Sequence, residues 1–391
     1  GRSRMKAPIR LGFIPLIDAS IPIVAADKGF AADEGLEIEL VRETSWANIR
    51  DRLAIGHFDA AHMLAPMPVA AALGLTPLDV PVVAAMTLGV GGNAKTVSEA
   101  LWQAMLRVAP DVVANDARSV GRALRLALRT WPGGKPTIAV VHPHSSHNYE
   151  LRYWLAASGI QPGRDIELAI LAPPLMPDAL ANGSLDGFSA GEPWSSHAAR
   201  RFGGRIILTK SAIWRDGPEK ILGLRAPWAK ANPDSVQALL RACRRAATWC
   251  ADKSNADELI DILAAPGRLH LPKEDIAAPL TGKMLLADGR RHQLQDFLVF
   301  GGGEANAPRR ETAIWFLTQM ARWGQTTLSD EARRRAEASY APELFAESGG
   351  RAEPYRMAPI TGLFDGEVFQ PGEAEAYLTR QILRDQRQDP A

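Results

Sequence analysis

Through its first hundred residues the chain alternates between short apolar strands and helices, and no other feature limits its fold so tightly. Ile9–Leu16 reads as a first strand, and Ser20 and Pro22 as the cap and first turn of a helix closed by Gly35. Leu36–Leu40 alternates with period two, as a half-buried strand should. Ser45 caps a helix from Trp46 to Ile55 that stops at Gly56, and Phe58–Leu64 and Val82–Leu88 are further strands. This βαβαβ rhythm implies a mostly parallel sheet with helices on its faces.

Gly89, Gly91 and Gly92 interrupt the pattern, and a second α/β series follows. Its strands are Thr137–Val141, Ile166–Leu171 and Leu185–Ser189, separated by helices, before Arg205–Leu208 leads back out. From about Ile213 the chain is mainly helical. A length of 391 residues exceeds what one compact core comfortably holds. The expectation is therefore an α/β protein of two lobes. Residues 5–97 and 208–391 would form lobe I, and 98–207 lobe II. Hinges would lie near Gly92–Val97 and Leu208–Ser211.

Forty-five basic residues balance forty-four acidic ones without a block of either sign, which disfavours direct nucleic-acid binding. No apolar run is long enough to span a bilayer, so no membrane partner is expected. Both cysteines lie on the apolar stripe of one helix, Pro233 to Ala251. Seven residues of helix separate them by about 10 Å of rise, too far for a disulfide. They read as buried thiols. Gly1–Ser3 looks like an expression remnant, and Met5 stands four residues before the first strand. A cytoplasmic protein is expected, with a periplasmic one as the alternative if a leader has been removed.

Ligands of open α/β sheets sit where strands run into helices, which directs attention to the loops Pro15–Asp18, Glu43–Trp46, His62–Pro66, Gly89–Asn93, His142–Asn148 and Gly191–Trp194. The histidines at 142, 144 and 147 match no common zinc spacing and have no nearby Cys or acidic partner. They read either as polar loop residues or, for His147, as a donor at a helix N-terminus, where free N–H groups favour an anion. No nucleophile elbow, phosphate loop or dinucleotide fingerprint occurs, so no catalytic residue is assigned. Lys220 precedes the apolar run Ile221–Leu224, a position usually occupied by a solvated lysine at a strand start.

Phe13–Leu16, Ser45–Asp51, Leu64–Pro68, Asn148–Ala157 and Gly191–Trp194 occur together and in order. This set resembles the nitrate-binding family of substrate-binding proteins, whose members include NrtA of nitrate ABC transporters, the bicarbonate-binding CmpA and the cytoplasmic nitrate/nitrite sensor NasS. The resemblance covers about residues 9 to 365 and implies a periplasmic-binding-protein-like (type II) fold with the ligand in a cleft between the lobes. It implies nitrate or nitrite as ligand, with no cofactor and no metal. Trp46 would place its indole at the anion, His147 would donate, the backbone at Ala190 and Gly191 would approach closely, and Lys220 would supply the positive charge. Bicarbonate-binding relatives use a carboxylate and calcium in this region, so Lys220 argues for nitrate. Gly91 stands where transporter members carry a Gln, so Asn93 or a backbone N–H would have to substitute. With no leader visible, the sensor branch is expected: a NasT-like RNA-binding antiterminator would be sequestered and released on anion binding. A transporter component is the alternative.

Overall fold

Strand β1 (Ile9–Phe13) buries four of its five residues and lies between β2 (Ile38–Arg42) and β3 (Ala60–Leu64), parallel to both. The chain is described here by a computed structural model covering residues 7–387. Met5 therefore lies outside the described residues. β4 (Val82–Gly91) and β10 (Pro218–Arg225) extend the sheet antiparallel, β10 pairing with β3 and β4. With the short β13 (Leu298–Val299) the six-stranded order is β13-β4-β10-β3-β1-β2. The second sheet contains β5 (Asn93–Val97), β6 (Thr137–Val140), β7 (Glu167–Ile170), β8 (Gly187–Gly191) and β9 (Arg205–Thr209), in the order β7-β6-β8-β5-β9.

The two-lobed α/β expectation holds, but two boundaries differ. β5 belongs to the second sheet, so that lobe begins at Asn93 and not at residue 98. The outward crossing is the pair Gly91–Gly92, with φ of 71° and 88°. A Cβ on Gly91 would stand 2.3 Å from the Phe297 carbonyl oxygen, so glycine is required there. The return crossing runs from Thr209 through a short helix, Lys210–Ile213, to β10.

Residues 208–391 also do not belong to lobe I alone. Helix Lys273–Thr281 docks on helix Trp194–Arg201 of lobe II, where the Asp275 carboxylate lies 2.6 Å from His197 Nδ1 and 2.5 Å from Arg200 Nε. The hairpin of β11 (Lys283–Leu285) and β12 (Arg291–Gln293) follows, and Ala287 N donates to Ile206 O at 2.8 Å. Met284, Leu286 and Phe297 pack there with Ala94 and Ile206 in a small core of their own. By sequence this region reads only as part of a mainly helical stretch assigned to lobe I.

Helix Pro233–Ala251 packs against helix Ser20–Asp27 behind the first sheet, and Cys243 and Cys250 are both buried and unbridged. Burial pushes the Cys243 thiol up to about 12. Another core runs across the lobe boundary, joining Trp46, Met63 and Trp315 to Tyr149 and Phe188. The lobes are closed on each other: Ile17 N donates to Glu192 O at 2.8 Å, Trp194 Nε1 to Pro15 O at 3.0 Å, and Tyr149 Oη to Gln325 Oε1 at 2.6 Å.

Candidate functional site

Each lobe brings a helix N-terminus to the cleft. Trp46 is the first residue of helix Trp46–Ala54, whose cap Ser45 accepts from Asn48 N. His147 is the second residue of helix Ser146–Ala157, capped in the same way by Ser145. Between them β10 contributes Glu219 and Lys220, while β5 contributes Asn93 and Lys95. Asp18, His62, Lys95, His147, Glu150, Lys210, Glu219 and Lys220 are all at most 4% exposed.

Isolated charges at such depth would be prohibitive, so their pairing decides the site. Lys220 Nζ donates to Asp18 Oδ2 and Glu219 Oε1, each at 2.9 Å. Lys210 Nζ donates to Glu219 Oε2 at 2.8 Å and Ser146 Oγ at 2.6 Å, and lies 3.2 Å from Glu150 Oε2. Lys95 Nζ donates to Glu150 Oε1 at 2.9 Å. Burial pushes the Asp18 carboxyl up, but Lys220 and His62 outweigh it and hold the carboxyl below its ordinary range. Burial likewise opposes the charge on Lys220, yet Asp18 and Glu219 raise its pKa. Three ammonium groups thus face three carboxylates.

The two histidines add no charge, because burial lowers the pKa of both His62 and His147. Ile14 N donates to His62 Nδ1 at 3.3 Å, so the proton sits on Nε2, 2.7 Å from Asp18 Oδ1. The cleft is neutral overall while retaining donors that nothing has consumed. Trp46 Nε1 and both ring nitrogens of His147, one of which carries the single N–H of the neutral imidazole, are buried without an aligned hydrogen-bond partner among the described residues. His147 Nδ1 lies 2.8 Å from Glu219 Oε1, but out of line for a hydrogen bond. Two of the three N–H groups of Lys220 go to carboxylates, which leaves one. Trp46 stands beside that lysine, with Nζ 5.5 Å from its ring centroid.

Of the residues expected from the sequence, Trp46, His147, Gly191 and Lys220 come together. Lys220 Nζ is 3.7 Å from where a Cβ on Gly191 would stand. Ala190 is the preceding residue of β8, buried and paired with Ala94. The donors of Gly91 and the Asn93 side chain are already taken. The Gly91 N–H donates to Gly217 O at 3.0 Å. Both Asn93 amide N–H groups are taken by carboxylates, Glu150 Oε1 at 2.6 Å and Glu219 Oε2 at 2.9 Å. Asn93 instead fastens one lobe's carboxylate to the other's. His142 stands outside this network, its pKa lowered to about 3 by burial, with His144 and Arg50 adding to the effect. Lys220 is fully buried, which overturns the solvated-lysine reading of its local sequence.

Asp18, His62, Lys95, Glu150, Lys210 and Glu219 were not singled out from the sequence. Asp18 and His62 lay in loops already marked by the strand-end rule. Lys95 lies in the segment read from the sequence as a hinge, which the structure shows to be a strand with all five residues buried.

The model of the NMT1-like family matches residues 3–264. The chain belongs to the NMT1-like family. This NMT1-like chain is 37% identical to the nitrate import ATP-binding protein NrtC of Synechocystis over 97% of its own length, and it spans about half (56%) of that relative. It is 32% identical to the nitrate/nitrite binding protein NrtA of Synechococcus elongatus, covering 95% of this chain and 85% of the relative. The crystal structure of the periplasmic nitrate-binding protein NrtA from Synechocystis superposes with a TM-score of 0.86 at 29% identity, covering 95% of this chain and 97% of that one. The two-lobed periplasmic-binding-protein-like fold is thereby shown. The relatives matched over most of their length are, by name, nitrate-binding or nitrate/nitrite-binding proteins.

Proposed function

We propose that this NMT1-like chain binds nitrate or nitrite in the cleft between its lobes, as the anion receptor of an import system. The observation that carries this reading is the set of unspent donors around Lys220. Trp46 Nε1, His147 and the third N–H of Lys220 meet in a sealed cleft whose charges already cancel. A planar, weakly basic monoanion suits several aimed donors and one compact cation. The names of its relatives NrtC and NrtA support the choice of nitrate. Calorimetric titration tests it: nitrate or nitrite should bind without calcium, and bicarbonate with calcium should not. Calcium-dependent bicarbonate binding with no nitrate response would replace this anion with the other.

Support for an import system over an antiterminator partner comes from NrtC, an import ATP-binding protein. Identity is 37% with NrtC against 29% with the periplasmic NrtA of the same organism, which favours a module working beside an ATPase on the cytoplasmic face. In either role the output is lobe closure, and the anion shifts it only by its differential affinity for the open and closed states. Size-exclusion chromatography against a transporter ATPase–permease assembly and against a NasT-like antiterminator separates the two. A nitrate-sensitive complex with the antiterminator alone would restore the sensor role.

A further inference from the structure

A cavity of about 630 Å³ opens beside the return crossing between the lobes, walled by apolar groups of Val90, Trp214, Pro218 and Ile360. Small-molecule sites commonly enclose roughly 300–1,000 Å³. Its charged lining comprises Arg215, Arg309 and Arg351 against Asp216, Glu304 and Glu311. Four of these make loose pairs, Arg215 with Asp216 at 3.9 Å and Arg309 with Glu304 at 3.7 Å. Arg351 and Glu311 form no ion pair within 4 Å among the described residues, with each other or with anything else. Glu311 is only 5% exposed, and no other described residue donates a hydrogen bond to its carboxylate. Burial outweighs its own backbone N–H at the start of helix Arg310–Arg322 and the charges of Arg309 and Arg356, which favour the charged form, so the carboxylate has a desolvation cost that its surroundings offset only in part.

We propose that this cavity binds a free α-amino acid, its carboxylate on Arg351 and its ammonium on Glu311, with the side chain against Trp214 and Ile360. The argument rests on charge. A purely anionic or cationic ligand would meet only one of these two side chains that lack an ion pair, the exposed Arg351 or the buried Glu311, whereas a dipolar ligand meets both and preserves the neutrality of the lining. Burial pushes the Glu311 carboxyl above its ordinary range, and a ligand ammonium would reverse that shift. The site also reaches the anion cleft through one residue. Lys210, which holds Glu219 in the buried network, lies with its Nζ 5.4 Å from the Trp214 ring centroid. An occupant pressed on Trp214 therefore bears on the segment that carries the lobes together.

The full chain, free of nitrate, is screened by thermal shift against the twenty standard amino acids, and those that stabilise it are titrated calorimetrically. At least one should bind, and Glu311→Gln and Arg351→Gln should each weaken it by about tenfold or more. The N-acetylated form of the same amino acid, which lacks the ammonium, should not bind. Glu311→Gln removes a lone buried charge, so its ligand-free melting temperature should be no lower than that of the parent, which separates lost binding from lost fold. Absence of binding by all twenty at about 10 mM, or binding retained by both variants or by the acetylated compound, overturns the proposal. Because nitrate is absent, the outcome is independent of what the cleft binds.

Discussion

His147 Nδ1 lies 2.8 Å from Glu219 Oε1, both side chains sealed from solvent, and the ring is held neutral at a point where an arriving anion would change its protonation. Burial lowers the His147 pKa, with Lys220 acting in the same direction; Glu219 and Glu150 oppose them. Lys210 and Lys95 stand behind those carboxylates. An anion adds one negative charge and raises the ring's pKa, so nitrate binding should take up a proton and strengthen as pH falls. Titration in two buffers of different ionisation enthalpy measures the uptake, and His147→Gln should abolish it. Equal heats in both buffers at pH 7 would refute the coupling.

Trp46 is the cleanest probe of the anion site. Its Nε1 has no partner among the described residues, so Trp46→Phe removes a donor while keeping most of the packing. Nitrate affinity should fall by about tenfold, in line with a hydrogen bond to a charged group of about 1.5 kcal/mol, with little change in melting temperature. Unchanged affinity would remove Trp46 from the site.

Lys220→Ala should abolish anion binding and also weaken the fold. Its ammonium is shared by Asp18 and Glu219, both buried, and removing it leaves two carboxylates without their counter-charge. Breaking a buried pair this way costs about 3–5 kcal/mol. Urea denaturation should show that loss at pH 7 and a smaller loss near pH 4, where the variant can protonate carboxylates that burial raises once Lys220 no longer holds them down. A fully stable variant would mean that Lys220 does not hold this network together.

Glu192 gives the chain a pH dependence of its own. Its side chain is 1% exposed, burial pushes its pKa up to about 7, and hydrogen bonds from Ser196 oppose the shift only partly. The folded state therefore favours the protonated form. Its stabilising contribution is full below about 4.5, the ordinary range of a glutamate, and is lost as pH rises through about 7. That loss amounts to roughly 3 kcal/mol. Glu192→Gln should gain this much on the parent between pH 4.5 and 8, measured by urea midpoints at several pH values. A constant difference across that range would show that Glu192 is ionised throughout.

Local sequence alone determined a good deal. Alternating apolar patterns announced two α/β series, the stripe on Pro233–Ala251 buried both thiols, and Ser45 and Ser145 set helix N-termini that present Trp46 and His147. These are short-range matters of periodicity and capping, complete within a dozen residues. Only the tertiary structure decided which lobe covers residues 273–297, because an amphipathic face does not name its cover. It also decided the fate of the buried charges. Lys95, Lys210 and Lys220 face Glu150, Glu219 and Asp18 across separations of up to 202 residues. Each would be a surface residue by composition. A lysine becomes part of a sealed site only when folding brings a carboxylate within about 3 Å, and that distance exists in space rather than along the chain.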